Sequence, residues 1–104
     1  MGVIASCATP QAARDKGPVA TYSSKKSAKD IASCVATAWE SVYGITNPVF
    51  VRQTAQGFTL QISYSGNTMV VLDVDDVANG SVSKYFKGTV WGEGMWDKSV
   101  QECQ

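Results

Sequence analysis

Three cysteines carry the chemistry that this sequence can most plainly offer: Cys7 behind Val3-Ile4-Ala5-Ser6, Cys34 in the first half of the chain, and Cys103 beside the last residue, Gln104. An odd count in a small domain leaves one thiol with a task separate from any pair. Histidine is absent, which removes the commonest general base, the usual activator of serine and cysteine nucleophiles, and the commonest metal ligand. Carboxylates would have to serve instead, and the only dense set is Asp73, Asp75 and Asp76. Asp73 and Asp75 stand two apart and would share one face of a strand, where their oxygens could hold a hard cation. The plainer expectation is a solvated strand face, with Asp75 opposite Lys84 across an Asn79-Gly80 turn. The chain has no P-loop, no Gly-x-Gly-x-x-Gly after a strand and no Cys-x-x-Cys. Glu93 and Glu102 flank the last helix without pairing as acid and base. The expectation is a protein that is not an enzyme and uses no cofactor or metal.

A second group of residues could serve recognition. Tyr85, Phe86, Trp91, Met95 and Trp96 form a dense aromatic segment broken by Gly88, Gly92 and Gly94. Large rigid side chains on a glycine-flexed loop supply contact area at small entropic cost. Tyr85, Trp91 and Met95 are the expected partner-binding residues, while Phe86 and Trp96 are expected in the core.

These groups need elements to position them. Ser27 with Asp30 three residues on marks a helix start, and Ile31, Cys34, Val35, Ala38, Trp39 and Val42 recur at spacings of three and four. A helix over 28–43 follows, stopped by Gly44. Val19 to Tyr22 reads as a short edge strand. After Asn47-Pro48 the period changes to two: Val49 to Thr54 reads as a strand, Phe58, Leu60, Ile62 and Tyr64 alternate with polar residues, Met69 to Val74 follows, and Asn79-Gly80 turns the chain into Ser81 to Phe86. Trp96, Val100 and Cys103 share one face of a short terminal helix. The predicted fold is α+β, an antiparallel meander of four to five strands in the order β-α-β-β-β-β-α, with the central helix packed on one face. Cys34 lies on the apolar stripe of its helix and Cys103 on that of the last, so both sulfurs are expected to point inward and to pair. An oxidising compartment would follow.

With 104 residues and 44 % apolar content, the chain suits one core. Residues 1–18, ending at Gly17-Pro18, read as a flexible tether, and 19–104 as a single globular domain. No run approaches the length of a membrane span. Net charge is zero but unevenly spread: residues 1–29 hold Arg14, Lys16, Lys25, Lys26 and Lys29 against Asp15, a net of +4, leaving −4 for the rest. A basic leader could lie against anionic headgroups, although a simply solvated segment is the plainer expectation. The basic residues lack interleaved aromatics, so nucleic acid is not an expected partner.

Val3-Ile4-Ala5-Ser6-Cys7 resembles the lipobox of bacterial lipoproteins, in which an aliphatic and two small residues precede an acylated cysteine. Ile31-Ala32-Ser33-Cys34 repeats the tetrapeptide, but it sits on a helix, whereas Cys7 is followed by the small and polar run Ala8 to Ala13. Neither a basic region nor an apolar stretch precedes Cys7, so the sequence is expected to begin just ahead of the lipobox cysteine, with Met1 supplied for expression. Taken with the helix from Ser27 to Trp39, Val71-Leu72-Asp73-Val74, the segment Val82 to Phe86, and Trp96 with Cys103, most of the chain resembles small lipoproteins of the proteobacterial envelope. The resemblance implies lipidation at Cys7, a lipid anchor in the outer membrane, and a periplasmic or surface-facing domain. It implies no activity. The expected function is binding, as an accessory subunit or scaffold with an envelope protein partner, the soluble form being a monomer. An inhibitor of a periplasmic or host enzyme and a carrier of a small apolar ligand are the alternatives; the carrier needs a cavity that Trp39, Phe58 and Trp96 are expected to fill.

Overall fold

The computed structural model describes residues 9–42, 48–64, 66–88 and 93–104. Its elements are α1 (Pro10–Asp15), β1 (Ala20–Ser24), α2 (Ala28–Glu40), β2 (Val49–Gln53), β3 (Gly57–Tyr64), β4 (Asn67–Val77), β5 (Gly80–Lys87) and α3 (Glu93–Glu102). Strands β2 to β5 run as an antiparallel meander and β1 pairs antiparallel with β5, giving one sheet in the order β1-β5-β4-β3-β2. The fold is α+β, with one helix more than the sequence indicated.

The start of α2 is fixed by two oxygens. The Ser27 hydroxyl accepts from the Asp30 N–H at 3.1 Å, and the Asp76 carboxylate of β4 accepts from the Ala28 N–H at 2.8 Å. A negative group from the sheet thus meets the positive end of the helix dipole. The helix gives way to Ser41 as its C-cap; the expected stop, Gly44, lies outside the described residues. Its inner face buries Ala28, Ile31, Ala32, Val35 and Trp39 against Leu60, Ile62, Val70, Leu72, Val74 and Tyr85 of the sheet. Trp39 is the hub of this core. Its ring meets Trp96 of α3 edge to face at 6.0 Å and 88° and Tyr85 at 6.4 Å, while its indole N–H donates to the Trp96 carbonyl at 3.3 Å.

Cys34 and Cys103 form a disulfide, with Cα atoms 5.7 Å apart. The expected pairing is present, but the expected burial is half right. Cys103 is buried, whereas Cys34 is exposed, because the buried stripe of α2 runs through Ala28, Ile31, Ala32, Val35 and Trp39 and leaves position 34 on its flank. The bridge therefore ties α3 to the side of α2.

The tether reading of residues 1–18 needs correction over its described part. Thr9 caps α1 by accepting from the Ala12 N–H at 3.0 Å, and Pro10 occupies its first turn, where a missing N–H is harmless. Ala13 is buried with Val71 and Phe86 on the sheet face opposite α2. Six residues cannot hold a helix by propensity alone, so this packing and the ion pair described below fix it.

The β4-β5 turn also differs from expectation. Val77 pairs with Gly80, so the two-residue loop is Ala78-Asn79, and Lys84 stands opposite Asp73 instead of Asp75. Gly80 explains the shift. It sits at φ +146°, and a Cβ there would lie 1.9 Å from the Ser24 carbonyl oxygen. The glycine is used as the first residue of β5 where β1 crosses close by.

Candidate functional site

The carboxylates singled out by spacing take three separate tasks. Asp73 receives the Arg14 guanidinium in a two-pronged pair, Nε and Nη2 each donating at 2.9 Å, and the Thr59 hydroxyl at 2.7 Å. Asp76 caps α2 from the other side of the sheet. Asp75 lines a shallow depression of about 440 Å³ beside α1, together with Arg14, Arg52, Asp73, Lys84 and Phe86. Burial pushes the Asp73 carboxyl up, but the hydrogen bonds from Arg14 and Thr59 and the positive charges of Arg14 and Lys84 outweigh it and hold the group below its ordinary value. The hydrogen bond to Asp73 raises Arg14 in turn, against the opposing effect of burial. An Arg-bound carboxylate is a structural latch for α1. Among the described residues no group of three or more His, Cys, Asp or Glu is placed to hold a metal ion.

The expected partner-binding residues part company. Tyr85 is 1 % exposed and belongs to the core beside Trp39, which corrects its assignment to the recognition surface: strand β5 turns that ring beneath the helices. Met95 on α3 is 45 % exposed and remains a surface residue. Trp91 lies outside the described residues, as does Cys7. Phe86 and Trp96 are buried, as their spacing suggested. The space expected to be filled between sheet and helices holds Trp39 and Trp96, with Phe58 partly buried against them.

Sequence reasoning passed over the most apolar exposed element. Phe50 and Val51 in β2 are 59 % and 50 % exposed, and among the described residues β2 is an edge strand that pairs with β3 alone. Phe50, Val51 and Arg52 border one shallow groove with Thr59 and Gln61; Val51 also borders another, on the α2 side, with Ala32, Ala36 and Phe58. The run Val49-Phe50-Val51 was visible as a strand. Its edge position was not, because that depends on which strand pairs beyond it.

Two residues of the basic leader also have structural work. Arg14 holds Asp73, and the Lys26 ammonium donates to the Cys103 carbonyl at 3.2 Å, a cation at the negative end of α3. The Ser24 hydroxyl donates to the Gln104 carbonyl at 2.9 Å, so the end of β1 and the end of α3 are fastened together. Comparison of the chain with family models, with curated proteins and with solved structures finds no match.

Proposed function

We propose that this chain is a non-catalytic lipoprotein of the bacterial cell envelope, anchored in the outer membrane through an acylated Cys7, that works by binding as an accessory subunit or scaffold. The observation that carries the reading is the Cys34–Cys103 disulfide. A bridge with one cysteine at the surface persists where the surroundings are oxidising, as in the periplasm or outside the cell. Exposed apolar side chains at Phe50, Val51 and Met95 support action through contact with another surface.

The test has two parts. Metabolic labelling with a fatty acid should mark the native protein and leave C7A unmarked; equal labelling of both, or of neither, removes the anchor. Photo-crosslinkers placed at Met95 and at Trp91 in the acylated protein, used in intact envelopes, should yield one dominant protein adduct. Adducts with lipid or peptidoglycan alone would remove the protein-binding role at this surface.

A further inference from the structure

We infer that β2 is a self-association edge: two copies of this chain join β2 to β2 about a two-fold axis at Val51, making one ten-stranded sheet. The inference concerns a surface other than the Met95 side of the molecule and stands whether or not Cys7 is acylated.

The argument starts with the backbone. The Thr54 N–H donates to the Gly57 carbonyl at 2.9 Å, continuing the register in which Gln53 pairs with Phe58. Hydrogen-bonded and non-hydrogen-bonded pairs alternate along an antiparallel ladder. Phe50 and Arg52 therefore direct their N–H and C=O groups to β3, and Val49, Val51 and Gln53 direct theirs outward. Antiparallel pairing centred on Val51 places Val51 against its own copy and Val49 against the other copy's Gln53. These are the residues whose backbone groups face out, so the register that the symmetry demands is also the one that forms hydrogen bonds.

Side chains on both faces fit the same arrangement. Arg52 is the only charged residue of β2, and the two-fold sets it opposite Phe50 of the second copy, never opposite itself. Two guanidinium-on-ring contacts result, one on each side of the axis. On the α2 face, the two Val51 side chains meet beside grooves lined by Ala32, Ala36 and Phe58, apolar surface that each copy covers for the other. Net charge is zero, so the copies do not repel as bodies. Edges kept apart usually carry several charges, a bulge or lysines; β2 carries one arginine, which the two-fold sets on a ring, and it exposes Phe50 and Val51.

The experiment is sedimentation of the full chain over a range of concentrations, with C7S in every sample to exclude thiol-linked dimers. We expect a reversible dimer, and V51K should weaken it by about tenfold or more, because the two lysines would stand directly opposite each other. Its circular dichroism should match the parent. A nitroxide on V51C should show strong spin–spin broadening in the dimer, and one on Q101C, on the α3 side of the molecule, should not. A chain that stays monomeric to about 1 mM, or a dimer indifferent to V51K with no broadening at position 51, overturns the inference. In the first case the edge would be left to an extended segment of a different protein.

Discussion

Arg14 and Asp73 show how one ion pair can decide whether a short segment belongs to a domain. Their side chains keep 24 % and 23 % of their surface exposed, and the two-pronged geometry sets the pair above an ordinary surface bridge. A double-mutant cycle with R14M and D73N should return a coupling of about 1–2 kcal/mol at neutral pH. The pH dependence follows from the direction of the shift. A carboxyl held below its ordinary value when folded stabilises the fold above the usual carboxylate range, and that contribution is lost as pH falls through the folded value. Arg14, pushed further up, stays charged throughout and defines no window. The thermal offset between parent and D73N should thus be present at pH 7 and shrink as acid takes the pH down through the lowered folded value of the carboxyl; an offset unchanged by acid would assign the loss to packing. Gly80 offers a second test at this scale. G80A combines an unfavourable φ with a collision against the Ser24 carbonyl, and urea titration should show a loss of about 2 kcal/mol or more. A variant as stable as the parent would mean that β1 can move aside.

At the scale of elements, α1 depends on what it touches. Ala13 fills the space between Val71 and Phe86, and A13E would bring a charge there without a partner. Detaching the helix is the cheaper outcome, at about 2 kcal/mol, so tryptic cleavage after Arg14 and Lys16 should accelerate roughly thirtyfold while the sheet persists. Unchanged cleavage would show that Ala13 contributes little. The contrast with α2 explains what could be read in advance. The central helix declares itself through Ser27 and the spacing of Ile31, Val35 and Trp39, and β3 through Leu60 and Ile62, since each has enough turns or alternations to register a period. Helix α1 has Thr9 and Pro10 as starting signals, but only one buried side chain, and one residue has no period. The turn at Ala78-Asn79 departs from its local signal for a related reason: Asn-Gly favours a two-residue hairpin locally, while the close approach of Ser24, 56 residues away, settles the register. The cysteine pairing was legible from two helix faces. The exposure of Cys34 was not, since position 34 sits at the margin of its stripe. The acidic set shared a strand as expected, yet the partners of Asp73 and Asp76 come from α1 and α2, which no local pattern joins to β4.

For the molecule as a whole, the two edges of the sheet are treated differently, and so are its two ends. Strand β1 is followed by Lys25 and Lys26 and fastened to the last residues of α3, while β2 is left with valine and phenylalanine facing solvent. An isologous β2 contact closes on itself, whereas a contact from β2 to the β1 edge of another copy would propagate into a fibre; the fastening of β1 works against the second. That fastening depends on α3, which is held by the bridge, by the burial of Trp96 and Val100 in the core and by the Lys87–Asp97 pair at 2.9 Å. Cys34 and Cys103 are 69 residues apart, and closing a loop of that length stabilises by about 4 kcal/mol in the chain-entropy account. For a domain of this size that is a large share of the total, because net stabilities are about 5–15 kcal/mol. Reductant should therefore lower the thermal midpoint by roughly 15–30 °C. C34A/C103A, in either redox condition, should match the reduced parent. If reduction shifts the midpoint by only a few degrees, α3 is held by its packing on Trp39 and the bridge is incidental to the fold. If the large shift appears and the reduced protein also forms fibres that V51K suppresses, then the bridge stabilises the domain and keeps the second edge closed.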